Sequence, residues 1–149
     1  MKELVTGGTG LIGSNLVKEL IKQGHETTIT GSDAYQKIPE FKGKTFYTSF
    51  LGIDWDGLEK YDVVFHQAAI NETVLLDKKE MFRSNVDAAR KLFEEVIKRG
   101  CKRIVFASST AIYGNAPAPQ KESSHLQPLN PYAESKIAME QVVKDLQKK

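Results

Sequence analysis

Two groups of residues in this sequence have types and spacings that could carry out chemistry. Tyr132 and Lys136 are four positions apart, so on a helix a phenol and an ammonium would lie one turn apart on one face. Residues 7–13 have the sequence GGTGLIG, a glycine-rich turn of the kind that lets a pyrophosphate approach backbone N–H groups. In this order, with strand patterns between them, the two groups indicate hydride chemistry on a bound nicotinamide cofactor.

Composition describes an ordinary soluble globular chain. The 149 residues are enough for one domain with a core, and 40% are hydrophobic and 27% charged. A net charge of +2 without a basic stripe argues against a nucleic-acid partner. No apolar run is long enough to span a membrane, and no targeting leader precedes the first strand pattern. The one cysteine, Cys101, cannot form an internal disulfide, which favours a reducing cytoplasm.

Short β-branched or apolar runs alternate with amphipathic stretches along the chain. Strands are predicted at residues 4–6, 27–30, 45–48, 62–66 and 103–107, and helices at 14–23, 77–99 and 131–147. Residues 33–44 are predicted to be a loop with little regular structure, since they contain Pro39 and Gly43. The prolines of residues 115–131 exclude a central strand or helix there.

This alternation predicts an α/β fold, a Rossmann-like doubly wound parallel sheet of about five strands in the order 3-2-1-4-5 with helices on both faces. The fourth and fifth strands are continuous apolar runs, so both are expected to be covered on both faces. Ligands of such sheets bind at the carboxyl ends of the strands. Residues 7–13, 66–69 and 108–113 all fall at those ends.

The glycine-rich turn follows a strand and opens a helix, as a phosphate-binding turn requires. Gly7 permits the tight turn, Gly10 lets backbone meet phosphate, and Gly13 allows close packing of helix on strand. The helix N-terminus would supply unpaired N–H groups and a partial positive charge. The alternative is a strand–helix turn without a ligand.

Four ordered motifs together resemble the extended short-chain dehydrogenase/reductase family, whose members include NAD(P)-dependent epimerases and dehydratases of nucleotide sugars. They are residues 6–13 (TGGTGLIG), 66–69 (HQAA), 108–114 (SSTAIYG) and 132–136 (YAESK), so the resemblance covers essentially the whole chain. It implies that residues 1–149 form the NAD(P)-binding domain, without the C-terminal substrate domain of the family.

The resemblance also assigns catalytic roles. Tyr132 would be the acid/base, and the Lys136 ammonium would favour its phenolate and hydrogen-bond the cofactor ribose. Ser109 lies four residues before Tyr113, where the family places the hydroxyl that orients the substrate oxygen. Asn85 matches the asparagine that the family places near the active site.

The expected cofactor-binding residues come from the same motifs. His66 is expected to be a strand-end residue near the cofactor, with a general base as the less favoured alternative. No metal site is expected. The predicted cofactor-binding set is Gly7, Gly10, Leu11, Ile12, Gly13, Asp33, Ala68, Ala69, Ser108, Tyr132 and Lys136.

The preference for NAD or NADP depends on the residues at the end of the second predicted strand. An acidic residue usually stands there and binds both hydroxyls of the adenosine ribose, but this chain has Gly31. Asp33 could do the same from two residues further on. Alternatively, Gly31 leaves room for a 2′-phosphate, with Lys37 nearby. NAD is favoured because Asp33 would repel a 2′-phosphate, and NADP stays open.

The predicted function is that of an NAD(P)-dependent nucleotide-sugar epimerase. Dehydratases that resemble this family carry acidic residues just after the catalytic hydroxyl, where this chain has Thr110 and Ala111, so dehydration is disfavoured. UDP-hexose 4-epimerases and ADP-heptose 6-epimerases fit equally well. Two other functions stay open, a truncated dinucleotide-binding domain without turnover and a keto-sugar or carbonyl reductase.

The family commonly dimerises through helices 77–99 and 131–147, so a homodimer is expected.

Overall fold

The computed structural model describes residues 1–31, 34–46, 57–72 and 77–148. The strands are β1 (Lys2–Thr6), β2 (Glu26–Thr30), β3 (Thr45–Phe46), β4 (Val63–His66) and β5 (Arg103–Phe106). The helices are α1 (Leu11–Lys22), α2 (Ala34–Lys37), α3 (Lys78–Phe82), α4 (Ala89–Lys98) and α5 (Pro131–Leu146). A π-helical segment, Arg83–Ala88, joins α3 to α4, and Thr110–Tyr113 is a 3₁₀ turn.

The chain divides into two compact units. The first unit consists of Met1–Ala69 and Lys91–Ala107, and it contains all five strands. The second unit consists of Ile70–Arg90 and Ser108–Lys149, and it contains α3, the π-helical segment, the 3₁₀ turn and α5.

The first unit is built on a parallel sheet with the strand order β3-β2-β1-β4-β5. Val5 of β1 is in register with Ile29 on one side and Phe65 on the other. The chain therefore extends the sheet in one direction through β2 and β3 and in the other through β4 and β5. Right-handed crossovers in opposite directions place their helices on opposite faces. The order 3-2-1-4-5 and the doubly wound topology are confirmed.

A hydrophobic core lies between the first strands and the two helices that follow them. Helix α1 contacts β1 and β2, and Gly24 ends it with a positive φ of 77°. The predicted loop at residues 33–44 is wrong in part, because Ala34–Lys37 form the short helix α2. Ala34 and Ile38 are fully buried, so burial stabilises a helical turn that Pro39 then ends. The core consists of Val5, Val17, Leu20, Ile29, Ala34, Ile38 and Phe41.

The prediction that β5 is covered on both faces is wrong. Alternate residues of β5 are exposed, and Val105 keeps 41% of its surface accessible. In the described part of the chain β5 is an edge strand, paired with β4 alone. Continuous apolar sequence therefore did not mean burial on both faces at this position. Predicted β3 residues 47–48 lie outside the described residues.

In the second unit, α5 packs against α3 and the π-helical segment. Asn130 caps α5 by accepting a hydrogen bond from the N–H of Ala133 at 2.8 Å, and Pro131 takes the first turn. Met139 and Val142 are buried on its apolar face. Helices thus occupy the range predicted for 77–99, but the continuous α-helix that was predicted is interrupted by a π-helical turn.

Candidate active site

The glycine-rich turn joins β1 to α1 in the first unit. Gly7 has a φ of 66°, and its N–H donates to Thr30 Oγ1 at 3.0 Å. A Cβ atom on Gly13 would lie 2.2 Å from the carbonyl oxygen of Gly7, closer than any real contact. The path of this turn therefore depends on the absence of a side chain at Gly13.

The N-terminus of α1 has features that fit a phosphate group. Its N-cap is Gly10, and no side chain among the described residues caps its first turn. Backbone N–H groups of that turn, together with the helix dipole, favour an anion. Leu11 and Ile12 are 84% and 67% exposed. Two exposed apolar side chains beside an open helix N-terminus suit a bound dinucleotide.

The end of β4 lies against the same turn. A Cβ on Gly7 would be 2.9 Å from the backbone nitrogen of Ala68, whose N–H donates to Thr6 Oγ1 at 3.3 Å. His66 is buried, its Nδ1 lies 2.8 Å from Thr6 Oγ1, and its ring packs edge-on against Phe93. These contacts favour the strand-end interpretation of His66 over a general base.

Gly31, at the end of β2, has no room for an acidic side chain. Its φ is 152°, and a Cβ there would lie 2.4 Å from Thr9 Oγ1. A side chain at this position would therefore strain the backbone and displace the Thr9 side chain. Asp33, the predicted substitute, lies outside the described residues, and Lys37 is exposed at the end of α2.

Tyr132 and Lys136 lie on the first turns of α5 in the second unit. Lys136 is 6% exposed, and its Nζ lies 5.6 Å from the centroid of the Tyr132 ring. Burial lowers the pKa of the Lys136 ammonium because the charged form loses solvation. The structure therefore places the buried Lys136 ammonium within cation–π distance of the Tyr132 ring.

Asn85 lies in the π-helical segment and holds a backbone segment of the same unit. Its Oδ1 accepts from the N–H of Ile70, and its Nδ2 donates to the carbonyl of Ile70, both at 2.8 Å. Nδ2 also lies 3.2 Å from Ser135 Oγ, which donates to the carbonyl of Tyr132 at 2.7 Å. Asn85 therefore reaches the backbone of Tyr132 through Ser135, a residue that the sequence analysis did not single out.

Ser109 begins the 3₁₀ turn, and its Oγ accepts from the N–H of Ala111 at 3.2 Å. Ser108 Oγ donates to Glu140 Oε1 at 2.6 Å. A groove of about 330 Å³ is lined by Ser108, Ser109, Thr110, Ile112, Tyr113, Glu122 and Glu140. Sequence analysis missed Glu140, although it stands one further turn along α5 from Lys136.

Among the described residues no group of three or more His, Cys, Asp or Glu side chains could hold a metal ion. In the same part of the chain, no helix has the length and apolar character needed to cross a membrane.

Comparison with known proteins decides the family. The NAD-dependent epimerase/dehydratase family matches residues 3–149. The chain belongs to this family.

Individual relatives are similar over nearly the whole chain. It is 33% identical to the UDP-glucose 4-epimerase of Bacillus subtilis (strain 168) over 98% of this chain and 48% of that protein. It is 33% identical to the ADP-L-glycero-D-manno-heptose-6-epimerase of Alkalilimnicola ehrlichii over 95% of this chain and 47% of that protein. The solved structure of MoeE5 in complex with UDP-glucose and NAD superposes with a TM-score of 0.88 at 30% identity, covering 100% of this chain and 50% of that one. The chain spans about half the length of the curated relatives it matches.

Proposed function

We propose that this chain carries the cofactor-binding and proton-transfer residues of an NAD-dependent nucleotide-sugar epimerase. The observation that carries the proposal is the buried Lys136 ammonium 5.6 Å from the Tyr132 ring, on a chain of the epimerase/dehydratase family. Residues 1–149 would act as the NAD-binding domain of such an enzyme.

The glycine-rich turn would hold the cofactor. Gly7, Gly10 and Gly13 keep side chains out of the turn, and the open first turn of α1 at Leu11 and Ile12 would bind the pyrophosphate. Ala68 and Ala69 would leave space beside the backbone at the end of β4. The bound NAD would supply the chemistry of accepting a hydride from a sugar carbon and returning it.

The side chains of the second unit would move the proton. The Tyr132 phenolate would take the hydroxyl proton of the carbon that is oxidised, and would return it after the sugar has turned. Lys136, through its positive charge, would stabilise the phenolate. Ser109 would donate a hydrogen bond to the reacting oxygen, and Asn85 would fix the backbone of α5 through Ser135.

The proposed substrate is a nucleotide sugar. The two curated relatives named above are a UDP-glucose 4-epimerase and an ADP-L-glycero-D-manno-heptose-6-epimerase, and Thr110 and Ala111 supply no acid for dehydration. A UDP-hexose is the first substrate to test, since several of the curated relatives carry that activity in their names.

The test is to follow UDP-glucose and UDP-galactose by proton NMR in the presence of the chain and NAD. An epimerase interconverts the two sugars without net change in NADH absorbance, whereas a reductase consumes NADH stoichiometrically. Tyr132→Phe serves as the matched inactive variant. Absence of interconversion with both UDP-hexoses and ADP-heptose would contradict the proposal.

A second candidate function is dinucleotide binding without turnover. It is favoured by one observation, that the chain spans about half the length of its curated relatives. Measurable NAD affinity with no sugar product in the same NMR experiment would support it.

A homodimer through residues 77–99 and 131–147 remains a proposal. Several apolar residues of these helices are already buried inside the chain, namely Met81, Val86, Phe93, Met139 and Val142. Partly exposed positions such as Phe82 and Leu146 would have to supply the contact. Sedimentation equilibrium tests the dimer, and a monomer mass would contradict it.

A cytoplasmic location is proposed as well, since the single cysteine is buried and forms no disulfide.

A further inference from the structure

A short hydrogen bond connects the segment after β5 to the helix that carries Tyr132. Ser108 Oγ donates to Glu140 Oε1 at 2.6 Å. That distance is in the range of O–H···O⁻ bonds to a carboxylate, which are stronger than bonds between neutral groups. The bond spans 32 positions in sequence, so it constrains tertiary structure rather than a local turn.

The acceptor lies on the helix face that carries the proposed acid/base pair. Tyr132, Lys136 and Glu140 follow one another at intervals of four residues, and residues at that spacing line one face of an α-helix. The carboxylate that holds Ser108 is therefore in fixed register with the phenol and the ammonium.

The donor is the residue directly before Ser109. Ser109 has extended backbone, with φ −153° and ψ 144°, and one peptide bond joins it to Ser108, so fixing Ser108 restrains the backbone of Ser109. Anchoring the Ser108 side chain on Glu140 therefore sets the direction in which Ser109 presents its hydroxyl. Both serines and Glu140 line the same groove.

We propose that Glu140 is a positioning residue for Ser109. Its carboxylate fixes Ser108, and through the backbone it fixes the Ser109 hydroxyl that would hold the substrate oxygen; this role in turnover rests on the proposed function. Neither Glu140 nor Ser108 touches the reacting atoms in this account.

The test uses Glu140→Ala, Glu140→Gln, Ser108→Ala and the double variant Ser108→Ala/Glu140→Ala in the full chain. The first readout needs no turnover. It is the hydrogen–deuterium exchange rate, measured by NMR, of the Ala111 amide, which donates to Ser109 Oγ. Losing the anchor should raise this rate about tenfold in each alanine variant. The double variant should show no further increase, because both changes remove the same bond.

Two variants keep the experiment decisive. Glu140→Gln retains an oxygen that accepts from Ser108, so it should keep most of the protection. Asp145→Asn removes a negative charge from the same helix, where the Asp145 carboxylate accepts a hydrogen bond from Gln141 Nε2, and it should leave the Ala111 rate unchanged. An unchanged Ala111 rate in Ser108→Ala, or an equal effect of Asp145→Asn, would overturn the inference.

The second readout is the turnover of UDP-hexose. Glu140→Ala should lower kcat about tenfold while KM and NAD affinity stay within twofold of the wild-type values, and Ser108→Ala should lower kcat by a similar factor. If the wild-type chain shows no turnover, the proposed function fails, and the exchange rates still decide whether Glu140 positions Ser109.

Discussion

Gly13 and Gly10 belong to one motif but meet different surroundings. A Cβ on Gly13 would be 2.2 Å from the Gly7 carbonyl oxygen, whereas a Cβ on Gly10 would be 3.3 Å from the same atom. A side chain at position 13 would force the backbone of the turn to move. A side chain at position 10 would need the Gly7 carbonyl to shift by only a few tenths of an ångström. Packing therefore requires a glycine at position 13, whereas a Cβ at position 10 needs only a small shift of its neighbour.

We predict that Gly13→Ala destabilises the fold by about 1–3 kcal/mol through overpacking, although alanine is ordinarily the better helix former. Gly10→Ala should unfold near the wild-type temperature and bind NAD more weakly. Thermal unfolding and NAD titration of both variants check this. Equal stability of the two variants would contradict the packing account.

The Tyr132–Lys136 pair gives a second prediction at this scale. Tyr132→Phe should lower kcat about 10²- to 10⁴-fold, the usual effect of losing an acid/base group. Lys136→Met should lower kcat and also weaken NAD binding, because the ammonium would bond the ribose as well. Lys144→Met, which removes an exposed lysine from the same helix, is the control. Full turnover by Tyr132→Phe would exclude it as the acid/base.

At the scale of elements, the π-helical segment places Asn85 against Ile70. A π turn holds one residue more than an α turn, so it changes which side chains point inward. Asn85 is 2% exposed and pairs both polar backbone groups of Ile70. The Asn85 side-chain amide therefore satisfies the N–H and the carbonyl of Ile70, as a neighbouring strand would.

Asn85→Ala should lower the free energy of unfolding by about 1–3 kcal/mol, because two backbone groups of Ile70 would lose their partner. Asn71→Ala, at an exposed neighbouring asparagine, should have little effect. Urea unfolding measures both. If Asn85→Ala is as stable as Asn71→Ala, the two bonds to Ile70 contribute nothing to stability.

Sequence patterns predicted the strands, their order and the positions of the motifs, because period-2 runs, glycine turns and helix caps are local signals. The π-helical segment was not predictable in this way, since the apolar spacing of Phe82, Val86, Ala89 and Phe93 also fits an α-helix. Ile97 belongs to that pattern, yet it is 42% exposed. The Ser108–Glu140 and Asn85–Ile70 bonds depend on tertiary contacts, which spacing in one sequence does not reveal.

At the scale of the whole molecule, a charge network ties together the amino-terminal ends of the strands in the first unit. Lys2 pairs with Glu26 at 3.0 Å and with Glu59, and Lys44 pairs with Glu59 at 2.8 Å. Hydrogen bonds from Lys2 and Lys44 lower the pKa of the Glu59 carboxyl to about 2. The Glu59 side chain is 40% exposed, so salt will weaken the network.

This network predicts how stability changes in acid. A carboxyl whose pKa is lower in the folded chain stabilises that state above its ordinary pKa of 4.5, and the contribution is lost as pH falls toward about 2. Glu59→Gln should therefore reduce the fall in Tm between pH 4.5 and 2. Melting curves at low salt measure it, and an identical pH profile for wild type and Glu59→Gln would contradict the prediction.

We expect the chain to bind NAD through the turn between β1 and α1. Calorimetric titration with NAD, and then with NADP, tests it most directly, with Gly10→Asp as the variant that places a carboxylate at the phosphate position. We predict one NAD per chain, weaker binding of NADP, and no detectable binding by Gly10→Asp. Absence of NAD binding, or equal binding by Gly10→Asp, would contradict the claim.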